Sequence, residues 1–201
     1  MRVSKEAEGL PVFFVSAKTT TAIPVRYPAL RDALILASLH PQVLSIEYVA
    51  WARVGFMQVM IDAVILRDDD GRYVLDVVPA RAVRDIDDER LVRIALGELK
   101  VDSFVLTAED IRREPRRSNA NLIWSHNDVT VPIALRMQIL QVLLDEGPMP
   151  LGRLLKCIAG ESDPAAAVMA LACANLVQLD FLHEPLSPNT LVRCCVQADH
   201  A

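Results

Sequence analysis

The stretch MIDAVILRDDDGRYVLDVVP, residues 60–79, reads as two strands joined by an acidic turn. Asp70-Gly71 is a strong hairpin signal between two runs rich in β-branched and apolar residues. Each strand carries one carboxylate, Asp62 and Asp76, where a buried sheet holds apolar groups. With a four-residue turn at 68–71, the two fall nearly opposite each other across the ladder. Their neighbours Ile61, Ala63, Val64, Leu75, Val77 and Val78 predict strands buried on both faces. Facing carboxylates there are destabilising unless something neutralises them. One resolution is a divalent metal on oxygen ligands. Magnesium typically takes one or two carboxylates, water and a phosphate oxygen, and such a metal activates water against a phosphodiester. The other is that one aspartate faces solvent or pairs with Arg72, Arg81 or Arg84. The triplet Asp68, Asp69, Asp70 reads as solvated turn chemistry.

Working outward, residues 1–28 look irregular, punctuated by Pro11, Pro24 and Pro28, with VFFVS as one short strand. ALRDALILASLH, residues 29–40, is a helix stopped by Pro41. QVLSIEYVAWARV is a strand leading into the hairpin. Residues 87–100 form a helix with Asp87 or Asp88 as N-cap, and VDSFVLTAEDIRR is a strand running into a helix capped by Thr107. Strand, hairpin, helix, strand makes a small α/β layer. Composition changes after about residue 128. Three helices follow: VPIALRMQILQVLLDEG ended by Gly147, PLGRLLKCIAG ended by Gly160, and one starting at Asp163-Pro164. VQLDFL and TLVRCCV are two short strands after them. Three helices and a β-wing is the order of a winged helix.

Bulk properties narrow the function classes. The 201 residues are 52% apolar and 23% charged, enough for a real core and against wholesale disorder. A net charge of −5 argues against non-specific coating of nucleic acid, though not against a local basic patch. Apolar runs fall short of a membrane span, and no basic segment followed by an apolar one opens the chain. The expectation is a cytoplasmic protein without a membrane partner. Cys157, Cys173, Cys194 and Cys195 fit neither a zinc site nor a disulfide framework, and read as buried or idle thiols. The four histidines lack metal spacing, and no residue set has the spacing of a cofactor-binding loop. Trp51 and Trp124 read as core or junction residues.

The hairpin and its surroundings resemble the TnsA-type transposon endonucleases of the PD-(D/E)XK nuclease superfamily. The family pattern runs through a helix, "dP.V", a strand, then "PDF.V...DG....VEVKP". Here it is matched by ASLHPQVLSIEY and IDAVILRDDDGRYVLDVVP. FVLTAEDIRREPRRSNANLIW resembles the end of the family's nuclease domain. ALRMQILQVLLDEGPMPLGRLL and ALACANLVQLDFLHEPLSPNTLV resemble the helical part found in related chains. The likeness spans about residues 12–193.

Carried over residue by residue, Asp62 matches the metal-binding aspartate, Asp76 the acidic position of the "ExK" element, and Pro79 the proline after it. The resemblance makes Asp62 and Asp76 the catalytic and magnesium-binding pair. It also departs from the family. Val78 stands where the family has its lysine, Ile61 replaces the proline, and the first helix offers Asp32 in place of a glutamate. A valine cannot steady charge in the transition state. Arg81 or Arg84 is near enough to take the lysine's place electrostatically, but not as a base.

The fold expected is α/β: a restriction-endonuclease-like mixed sheet flanked by helices over residues 1–126, then a small winged-helix-like, mostly helical domain over residues 127–201. The function expected is that of a TnsA-like accessory protein of a mobile or integrated genetic element. It would have impaired catalysis and act with DNA and a transposase-like or ATPase-like partner. Alternatives are an active magnesium-dependent endonuclease using Asp62, Asp76 and a displaced Asp32 or Glu47, and a non-catalytic scaffold for a protein partner. On this reading Val78→Lys raises any nicking activity. Arg112, Arg113, Arg116 and Arg117 are candidate phosphate contacts, or else a solvated helix end paired with Glu109, Asp110 and Glu114. The third C-terminal helix offers base edges only Asn175 and Gln178. Its apolar surface predicts protein docking, or else burial within the chain or in a homodimer.

Overall fold

The computed structural model describes residues 12–158 and 163–195. Strand β1 (Val12–Phe14) pairs antiparallel with β2 (Ile23–Val25), a strand not expected in a stretch so marked by proline. Helix α1 (Pro28–Leu39) starts on Pro28, whose fixed φ suits the first helical position, and ends at His40 before Pro41. Seven consecutive residues of α1, Ala33–Leu39, are buried, so this helix is covered on all sides.

The long hairpin follows as β3 (Ser45–Val54) and β4 (Met57–Arg67), then β5 (Arg72–Val77). A short 3-10 turn, Val78–Ala80, leads to α2 (Ile86–Glu98) and β6 (Asp102–Leu106). The sheet order is β3-β4-β5-β6, with the first two pairings antiparallel and β5–β6 parallel through the α2 crossover. This is an α/β architecture with a mixed four-stranded sheet flanked by helices. Val64, Leu66, Leu75 and Val77 face α1 within the main core. Ile61 and Ala63 form a second small cluster with Val92 and Ala95 of α2, and Val74 packs against it. The DDDG turn closes as expected: Asp68 Oδ1 accepts from the Asp70 and Gly71 amides at 2.9 and 2.8 Å.

Helix α2 begins earlier than its acidic cluster suggested. Asp85, not Asp87 or Asp88, is the N-cap, accepting from the Asp88 amide at 2.8 Å. Asp87, Asp88 and Glu89 then lie in the first turn, where the helix dipole favours negative charge. Thr107 caps α3 (Ala108–Arg112) in a reciprocal box with Asp110, and α4 (Arg116–Trp124) follows.

The remaining elements are α5 (Ile133–Glu146), β7 (Met149–Pro150), α6 (Leu151–Cys157), α7 (Pro164–Cys173), β8 (Val177–Leu179) and β9 (Leu191–Cys194). Gly147 at φ +77 ends α5, and Asp163 caps α7 through the Ala166 amide at 3.0 Å. The expected stop at Gly160 lies outside the described residues. The three strands order as β7-β9-β8; β7, only two residues long, carries no sequence signal of its own. Residues Ala167–Cys173 of α7 are all buried, and α7 packs on α1, α4 and α5. The docking surface expected of this helix is therefore not free: its apolar faces are covered by the chain itself. One core runs through α1, α4, α5 and α7 without a break at residue 126.

Trp124 is buried and stacks on Phe14 at 5.1 Å, whereas Trp51 is 52% exposed, opposite the expectation for it. The described cysteines are free thiols; Cys173 is buried and Cys157 exposed. No helix among the described residues is long and apolar enough to cross a membrane.

Lys18 is buried, and its ammonium donates to the His40 carbonyl at 2.6 Å. Burial lowers its pKa from 10.5 to about 8. Between those values the unfolded chain binds more protons, so stability rises with pH. Between pH 8 and pH 10, Lys18 should contribute a gain on the order of 2 kcal/mol in urea unfolding relative to Lys18→Met. The Cys173 thiol, which burial pushes up from 9.0 to about 12, opposes it from about pH 9 in parent and variant alike. Above pH 10 Tyr48 opposes the trend, because its phenol is held up at about 12 in the fold.

Candidate functional site

Asp62 sits at an irregularity in β4. Val49 pairs with Ala63 and Trp51 with Met60, so β4 advances three residues while β3 advances two. This is a β-bulge, and Asp62 takes φ +49, a left-handed conformation in which aspartate is tolerated better than most residues. Its side chain accepts from the Tyr48 hydroxyl at 2.6 Å and meets Arg26 Nη1 at 3.3 Å. Burial first, and then the bond to Asp62, raise the Tyr48 pKa. Asp76, near the end of β5, is held in a two-pronged pair by Arg81, whose Nε donates to Oδ1 at 2.7 Å and whose Nη2 engages Oδ2. Both guanidiniums are more than half exposed, so these pairs neutralise charge more than they stabilise the fold.

The two carboxylates do not meet. Pairing of β4 with β5 runs only from Arg67–Arg72 to Ile65–Val74, and both aspartates lie beyond it. Asp76 alternates with Leu75 and Val77, which face α1, so it lies on the α2 face with Val74. Asp62 bonds Tyr48, whose ring packs on the α1-side core. The pair expected side by side is thus on opposite faces of the sheet, each with its own arginine. That arrangement does not fit a shared magnesium site. Among the described residues, no group of three or more His, Cys, Asp or Glu side chains is placed to hold a metal ion.

The substitute groups are engaged elsewhere too. Asp32 meets Arg117 at 3.9 Å, and Glu47 meets Arg72 at 3.3 Å. Arg84 donates to the Ile61 carbonyl at 2.8 Å and lies 3.8 Å from Glu89. Val78 has left the strand for the 3-10 turn. Of the two arginines considered for the lysine's place, Arg81 neutralises Asp76, which is the pairing alternative raised by the sequence. Arg26 on Asp62 was not foreseen, since nothing local links the residue after β2 to the middle of β4.

The arginine cluster divides. Arg112 and Arg113 are exposed. Arg116 Nη2 donates to the Asp110 carbonyl and Arg117 reaches Asp32, so these two brace α4 against its neighbours. Glu114 is occupied by the Ser118 amide at 3.1 Å, and the Asp110 carboxylate by Thr107. Exposed apolar side chains gather at the far end of the long hairpin. Trp51 and Met60 are cross-strand neighbours there, each more than half exposed, and Phe56 and Met57 at the tip are exposed as well. No family model matches the chain, and no curated protein matches it.

Proposed function

We propose that this protein works by binding and not by cutting, as a TnsA-like accessory protein of a mobile or integrated genetic element. It keeps a nuclease-like α/β domain without a working metal centre and acts with DNA and a transposase-like or ATPase-like partner. The observation that carries the reading is the separation of Asp62 and Asp76 onto opposite faces, each neutralised by its own arginine. The mixed four-stranded sheet with its α2 crossover supports the nuclease-like part. The order α5, β7, α6, α7, β8, β9, with sheet order β7-β9-β8, supports a winged-helix-like part. Its third helix is buried, so base reading by that helix is not the mode of contact. Arg112 and Arg113 are the phosphate contacts, and the Trp51–Met60 end of the hairpin receives the protein partner.

The test is supercoiled plasmid with magnesium or manganese, read for nicking, alongside thermal unfolding with the same ions. The expected result is no nicking and no metal-dependent shift. Val78→Lys is expected to change neither, because the residue is off the strand and has no paired carboxylates to serve. Nicking abolished by Asp62→Ala would overturn the proposal in favour of the magnesium endonuclease. In gel-shift titrations, Arg112→Gln with Arg113→Gln should weaken DNA binding and lower the salt slope by about 2. A second reading, a scaffold without DNA, is favoured by the burial of α7 and the engagement of Arg116 and Arg117. It would be supported by a stable protein complex with no DNA binding.

A further inference from the structure

A cavity of about 340 Å³ opens between the end of α1, the α1-side face of the sheet and the chain after β8. We propose that it binds a small carboxylic acid with an apolar body, a property independent of the DNA reading above. The walls are apolar: Leu36, Leu66, Leu75, Leu106, Phe104 and Phe181. The volume corresponds to about ten liquid waters, near the lower end of small-molecule sites. An apolar cavity of this size favours an apolar occupant.

The polar groups at the cavity choose the ligand's head. Arg116, His40 and Tyr73 line it, with Asp68 as the carboxylate among them. Asp68 Oδ1 is taken up by two amides of its own turn. Arg116 gives Nη2 to the Asp110 carbonyl and also lines the cavity, which brings a positive charge to an otherwise apolar wall. His40 is held neutral by burial, with Lys18 and Arg116 adding to the effect. Its Nδ1 accepts from the Gln42 amide at 3.4 Å, which leaves the ring proton on Nε2. Arginine, imidazole N–H and phenol O–H are three donors at the cavity beside one carboxylate, half engaged by its own turn. They match an anionic acceptor, and a guanidinium suits a carboxylate best.

The experiment titrates full-length protein with octanoate, octanol and octylamine, read by amide chemical shifts and calorimetry. Octanoate is expected to saturate, with shifts at Leu36–His40, Phe104 and Phe181–Leu182. It should bind about tenfold more tightly than either control. Arg116→Gln should bring octanoate down to the octanol level. Phe104→Ala, at a half-exposed position, should weaken octanoate and octanol alike. Absence of saturable shifts, shifts confined to other surfaces, or octylamine or octanol binding as tightly as octanoate would each overturn the proposal.

Discussion

Asn119→Leu is expected to lower the unfolding free energy by about 3–5 kcal/mol. Asn119 is buried on α4, and its amide serves three backbone groups of the segment after β8. Nδ2 donates to the carbonyls of Phe181 and Glu184 at 2.8 and 2.7 Å, and Oδ1 accepts from the Leu186 amide at 3.0 Å. That segment has no regular structure between Leu179 and Leu191, so it lacks a ladder of its own to satisfy these groups. Leucine conserves most of the volume but orphans two carbonyls and one amide, at about 1–3 kcal/mol each before relaxation. Urea unfolding should show a lower midpoint with an unchanged slope. Asn119→Asp keeps the acceptor for Leu186, loses both donors and buries a charge, so it should be at least as damaging. A midpoint within about 0.5 kcal/mol of the parent for both variants would mean that the segment is held by other contacts.

Local signals carried most of the elements, because local physics decides them. The Asp70-Gly71 hairpin, the Thr107 box, the Asp163-Pro164 start and the Gly147 stop each depend on residues within one turn of chain. The juxtaposition of Asp62 and Asp76 failed on parity. A turn that pairs Arg67 with Arg72 makes positions summing to 139 partners, whereas 62 and 76 sum to 138. A one-residue offset places alternating side chains on opposite faces. That signal lay in the turn length; the β4 bulge at Asp62 left no comparable mark. Arg26 and Arg81 show the other limit. Arg81, five residues from Asp76, was legible as a partner, while Arg26 reaches Asp62 through tertiary placement of β2. The evenly apolar composition of α7 predicts docking first, and burial within the chain or in a homodimer only as the alternative; the chain itself supplies the burial. A helix apolar all round is a buried helix, and its cover proved to be α1, α4 and α5.

A fragment ending at residue 126 is expected to lose cooperative unfolding altogether. The composition change near residue 128 suggested two domains, but the packing follows a different line. Helix α1 buries seven residues in a row, which requires cover on the side away from the sheet as well as on it. Part of that cover is α4, and part is α7, from beyond the proposed boundary. The Cys173 thiol reaches the Ile123 carbonyl at 3.3 Å, and Asn119 holds the chain at Phe181, Glu184 and Leu186. Cutting at 126 would expose the outer faces of α1 and α4 and leave the Asn119 amide without its partners. A contiguous apolar surface of that kind leads to aggregation or collapse without fixed packing. The fragment should therefore show sloping denaturation curves, while the full chain shows a single transition. A sharp transition in the fragment, with a slope suited to about 120 residues, would restore independent domains. It would also turn the α7 contacts into an interface between two folded units. The single-core outcome has a functional consequence. On the proposed reading, DNA near Arg112 and Arg113 would then meet a body in which α1, α4 and α7 share one core, while the far end of the hairpin packs on α2.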